Sequence, residues 1–103
     1  MPSYVFAYHS NGKMPATPEE GAAHRERYNA WIEGMGDAVE NPGTPLGMSK
    51  TVSTEGVEDG DGTNPLLGFT VVTADDMDAA LEMAQASPFL DMGTIEVAQV
   101  MTM

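Results

Sequence analysis

Two stretches of this chain are apolar at alternate and at intervening positions alike, and they set the frame that the rest must fit. In the first, Tyr4, Phe6 and Tyr8 fall on one side of an extended segment and Val5 and Ala7 on the other. The second, Leu66 to Thr73, has the same two-sided character. Strands apolar on both faces belong in the middle of a sheet that is covered on both sides. Leu46 to Ser53 and Thr94 to Met101 alternate instead, with one polar face, which suits edge strands. The turn-rich run from Glu55 to Asn64 separates the second strand from the third, making them a hairpin with a long acidic loop.

Helical spacing appears twice. Thr17 is placed as an N-cap, Pro18 at the first helical position and Glu20 to close a capping box. Tyr28, Trp31, Ile32, Met35, Ala38 and Val39 then recur at helical intervals, predicting a helix over about 18 to 40, ended by Asn41, Pro42 and Gly43. Gly34 and Gly36 weaken its second half by roughly 1 kcal/mol each relative to alanine. A second helix follows Asp75 or Asp76, with Met77, Ala80, Leu81 and Ala84 on one face, and stops before Pro88.

The order β-α-β-β-α-β fits the ferredoxin-like split β-α-β arrangement, an α+β class. It predicts a single domain over 1–103: a four-stranded antiparallel sheet, first and third strands central, both helices on one face. The other face is then bare, and a large bare apolar face marks an interface. A face-to-face homodimer, closing into a dimeric α+β barrel, is the expected assembly.

Composition narrows the functional classes. With 103 residues and 42% apolar content there is enough for one modest core. The chain has no cysteine, which removes disulfides, thiolate metal sites and cysteine nucleophiles. Four Lys+Arg against 16 Asp+Glu give a formal net charge of -12. Such a field repels phosphate backbones and anionic lipid, so neither nucleic acid nor membrane is an expected partner. No basic leader precedes an apolar run and no stretch has the roughly 20 apolar residues of a membrane span, so a soluble, cytoplasmic protein is expected.

Candidate chemistry is sparse. His24 lies four residues before Tyr28 and seven before Trp31, on the stripe that faces the sheet. It reads either as a general acid/base with a pKa poised near neutrality or as a core-edge histidine satisfied by one hydrogen bond. His9 ends the first strand, where it could enter a pocket or stay a solvated loop residue. Arg27 and Lys50 are scarce cations, suited to a ligand carboxylate or phenolate or to a surface ion pair. Trp31 fits packing or a pocket wall. Glu58, Asp59, Asp61 and Asn64 look like part of a calcium loop, without the spacing or terminal glutamate of one. No metal or cofactor is expected, and no phosphate loop or dinucleotide fingerprint is present.

The strand from Tyr4 to Tyr8, the Thr17-Pro18-Glu19-Glu20 helix start and the Trp31 helix resemble the YCII-related family of dimeric α+β barrel proteins. The likeness continues through Lys50 to Ser53, Pro65 to Phe69 and, above all, Ser87 to Val97. The resemblance implies a ferredoxin-like dimer with a small pocket in each subunit. Some members carry a His-Asp pair proposed as a catalytic dyad, and one related line removes chloride from hydroxylated aromatics. The family histidine corresponds to His24. The aspartate position before the Pro-aromatic pair is Ser87 here, which removes the expected orienting carboxylate, and Asp91 is the nearest substitute. Two functions remain open: a cofactor-independent enzyme on a small molecule, with His24 as acid/base, Ser87 or Asp91 orienting it, and Lys50 or Arg27 steadying charge; or a non-catalytic dimeric module that binds a small molecule or a protein.

Overall fold

The computed structural model describes residues 1–10, 17–47, 49–59 and 66–101. Its strands are β1 (Ser3–Ser10), β2 (Val39–Asn41), β3 (Lys50–Ser53), β4 (Gly56–Asp59), β5 (Leu66–Thr73) and β6 (Gly93–Gln99). Its α-helices are α1 (Pro18–Met35) and α2 (Met77–Gln85), with short 3-10 turns at Gly36–Ala38 and Pro88–Asp91. Four strands form an antiparallel sheet in the order β2-β5-β1-β6. This is the ferredoxin-like order, and the two doubly apolar strands are the central pair.

One face of that sheet carries the core. Tyr4, Phe6 and Tyr8 of β1 and Thr70 and Val72 of β5 are buried there, against Ala80 and Ala84 of α2 and Phe89 of the second 3-10 turn. Tyr28, Trp31 and Met35 pack α1 on the same face. The Trp31 ring stacks on Phe6 with centroids 6.1 Å apart, and its indole N–H donates to the Met83 carbonyl at 2.9 Å, tying α1 to α2. Local signals explain the helix starts. Thr17 Oγ1 accepts the Glu20 N–H at 3.1 Å, and the Asp76 carboxylate accepts the Ala79 N–H at 2.9 Å.

Three sequence expectations need correction. The first helix ends at Met35, not near residue 40, because Gly36 adopts φ 55° and turns the chain out of the helix. The released segment supplies the edge strand β2, at Val39–Asn41. Residues 46–53 therefore do not form that edge. Their strand part, β3, pairs with β4 in a separate two-stranded ribbon, Val52 opposite Val57, and the acidic run is itself partly strand. Asp61 and Asn64 lie outside the described residues.

The molecule measures 44 × 40 × 19 Å with a radius of gyration of 14.7 Å, against about 13 Å for a compact chain of this length. The smallest dimension is that of two layers, helices on sheet. Among the described residues, no helix is long and apolar enough to cross a membrane.

Candidate functional site

Three side-chain hydroxyls meet where β1, β5 and α1 converge. Tyr8 Oη lies 2.7 Å from Thr70 Oγ1, and Tyr28 Oη lies 3.1 Å from Tyr8 Oη and 3.3 Å from Thr70 Oγ1. The directions follow from counting protons. Thr70 Oγ1 is 3.2 Å from the Pro42 carbonyl, which can only accept, so the threonine proton goes there. Tyr8 must then donate to Thr70, and Tyr28 donates inward to the pair. The result is a one-way chain, Tyr28 to Tyr8 to Thr70 to Pro42. Burial, partly offset by the bond to Thr70, pushes the Tyr8 phenol well above its ordinary value of 10.0, so it stays protonated.

Above this cluster opens a pocket of about 450 Å³. Arg25, Tyr28, Asn29 and Ile32 of α1 form one wall, the Pro42–Pro45 loop another, and Tyr8, Leu67, Gly68, Phe69 and Phe89 the rest. The loop is held in several ways. The Asn41 side chain accepts the Gly43 N–H at 2.8 Å, Pro45 bridges to Gly68, and the Leu46 N–H donates to the Leu67 carbonyl at 2.8 Å. Gly43, at φ 74°, lies so close to β5 that a Cβ would run into the Phe69 carbonyl oxygen. A bulge in β5 between the partners of Tyr8 and His9 leaves Leu67 packed on the core side and lining the pocket. Arg25, exposed at the rim, has no ion-pair partner among the described residues.

A family model described as the YCII-related domain matches residues 1–103, the whole chain. The chain belongs to the YCII-related family. Among solved structures, this YCII-related chain is similar to 5-chloro-2-hydroxyhydroquinone dehydrochlorinase from Burkholderia phenoliruptrix, in complex with 2,5-dihydroxybenzoquinone. The TM-score is 0.61 at 12% identity, covering 98% of this chain and 95% of the other. At that identity the likeness is one of fold. A comparison with curated proteins gives no match.

The structure disperses the residues singled out from the YCII-related sequence. His24 sits half-buried on the sheet-facing stripe of α1, one turn before Tyr28, and makes no hydrogen bond among the described residues. Neither proposed orienting group reaches it. Ser87 is buried and its Oγ accepts the Phe89 N–H at 3.2 Å, capping the 3-10 turn, while Asp91 is exposed and pairs with Arg27 at 3.2 Å. His9 lies on the opposite sheet face, 3.2 Å from Glu96. Trp31 is part of the packed core, and Lys50 stands on the exposed ribbon opposite Asp59. Among the described residues no group of three or more His, Cys, Asp or Glu is placed to hold a metal ion.

The pocket itself was hidden behind ordinary core residues. Tyr8 and Tyr28 read as strand and helix interior, and Arg25 was not singled out. A usable signal was present all the same: a buried tyrosine needs a partner for its hydroxyl, and Thr70 interrupts an otherwise apolar central strand.

Proposed function

We propose that this YCII-related protein binds, and in an enzyme-like manner handles, a small and mostly apolar molecule in the pocket between α1 and the Pro42–Pro45 loop. The observation that carries this reading is the pocket: largely apolar walls, a fixed hydroxyl chain at the base and, at the rim, the Arg25 guanidinium, which has no ion-pair partner among the described residues. A cavity of this size with a few convergent polar groups is the ordinary form of a small-molecule site. The similar dehydrochlorinase structure holds 2,5-dihydroxybenzoquinone, which makes that ring compound a rational first probe. Calorimetric titration should give saturable binding that is lost in Asn29→Trp, where a large ring fills the pocket from the exposed helix side. Absent binding, or binding indifferent to Asn29→Trp, would contradict the reading.

A second reading, cofactor-independent acid/base chemistry by His24, is favoured by one observation. His24 stands half-buried one turn from Tyr28 on the same stripe, with no hydrogen-bond partner among the described residues. An NMR titration of His24 with and without the bound probe tests it. A shift of its midpoint on binding supports acid/base work, and an unchanged midpoint leaves a binding module.

The expected homodimer remains part of this proposal. The sheet face opposite the helices presents Val5, Ala7, Phe69 and Val71 only half-buried, and a second copy would cover them.

A further inference from the structure

The hydroxyl chain has a direction, and the direction selects a ligand. Each of its three protons is committed: Thr70 to the Pro42 carbonyl, Tyr8 to Thr70, Tyr28 to the pair. Tyr28 heads the chain and lines the pocket, so its oxygen meets a ligand with free lone pairs and no spare proton. Such a head accepts a hydrogen bond, and it matches a ligand hydroxyl better than a ligand carbonyl or oxyanion. At the other end of the same wall stands Arg25, three residues earlier, with the two Cβ atoms about 5–6 Å apart. Arg25 is exposed and lines the pocket, whereas the Tyr28 hydroxyl reaches into the buried cluster, so the wall offers one polar group towards solvent and one towards the base. Of the cations described, Arg27 is engaged by Asp91, and Arg25 has no acidic partner among the described residues. In a chain with 16 acidic side chains, a guanidinium that no described acid engages, beside an apolar pocket, is available to a ligand anion.

We propose that the pocket takes a small aromatic acid bearing a ring hydroxyl, the hydroxyl donating to Tyr28 Oη and the carboxylate meeting Arg25 at the rim. Ile32, Leu67 and Phe89 supply the apolar walls for the ring. This rests on the pocket being a ligand site and adds the chemical class of the ligand. It also gives the Pro42 carbonyl a part in binding, since the chain that presents Tyr28 is anchored on the pocket's own loop.

The test is a set of equilibrium titrations with three probes, 4-hydroxybenzoate, benzoate and hydroquinone, on the full chain. The wild type should prefer 4-hydroxybenzoate to each of the others by about fivefold or more, the worth of one hydrogen bond or one partly solvated charge pair. Arg25→Gln should erase the preference over hydroquinone, and Arg25→Lys should restore part of it. Tyr28→Phe should erase the preference over benzoate. If the preferences are absent, or survive in these variants, the ligand class is wrong although the pocket stands. If no ring compound binds at all, the pocket reading falls and this inference falls with it.

Discussion

Tyr8 shows how one buried hydroxyl shapes both stability and site. Its phenol is held neutral by burial, so above about pH 10 an unfolded chain releases a proton that the folded chain keeps. The unfolded state then binds fewer protons, and stability must fall as pH rises. Denaturation curves between about pH 9 and about pH 11 should show this decline, and Tyr8→Phe should make it shallower. At neutral pH the same variant should cost about 1–2 kcal/mol, because Thr70 and Tyr28 lose a partner. Gly43 is the second decisive residue. Gly43→Ala combines a positive φ with a clash at the Phe69 carbonyl and should destabilise the fold by on the order of 2–3 kcal/mol in urea titrations. The role of Gly43 was not legible beforehand, and that of Tyr8 only through the Thr70 hydroxyl in an apolar strand. A tyrosine on an apolar stripe and a glycine after a proline look alike whether they build a pocket or merely fill a core.

Among the elements, starts were easier to read than ends. Thr17 with Glu20, and Asp76 before the second helix, are local signals between residues three apart, and both caps form. Thr17→Ala should therefore cost about 1 kcal/mol, lowering Tm by roughly 4–8 °C in a domain of this size. The end of α1 was misplaced because Ala38 and Val39 continue the helical spacing. The same two residues pack equally well after a break at Gly36, where Val39 pairs with Val72. Tertiary pairing decided between two local patterns of similar quality. The strand 46–53 failed for a related reason: alternation marks a strand but names no partner, and β3 found β4. An isolated two-stranded ribbon is marginal in water, and Val52 and Val57 are 75% and 64% exposed on this one. Amides of β3 and β4 should exchange with solvent far faster than those of β1 and β5 in hydrogen-exchange experiments.

For the whole molecule, the sheet order and the central position of β1 and β5 were legible, since two-sided apolar strands have only one place in a four-stranded sheet. The site was less so. Arg25 and Arg27 differ by two positions on α1 and point to different sides, one to the pocket rim and one to Asp91, and no composition argument separates them. At this scale the proposed dimer has a direct consequence. Light scattering at micromolar protein should give about twice the 10.9 kDa chain mass, and added salt should favour the dimer, because two copies of formal charge -12 repel. A stable monomer would remove the argument from the uncovered sheet face.

The claim on which the functional account turns is that ligands enter between α1 and the Pro42–Pro45 loop. Amide chemical-shift mapping with 2,5-dihydroxybenzoquinone and 4-hydroxybenzoate tests it most directly. The account predicts that the largest shifts cluster at Tyr28, Asn29, Gly43, Thr44 and Gly68. Shifts confined to the opposite sheet face around Val5, Ala7 and Val71, or to the β3–β4 ribbon, would contradict it.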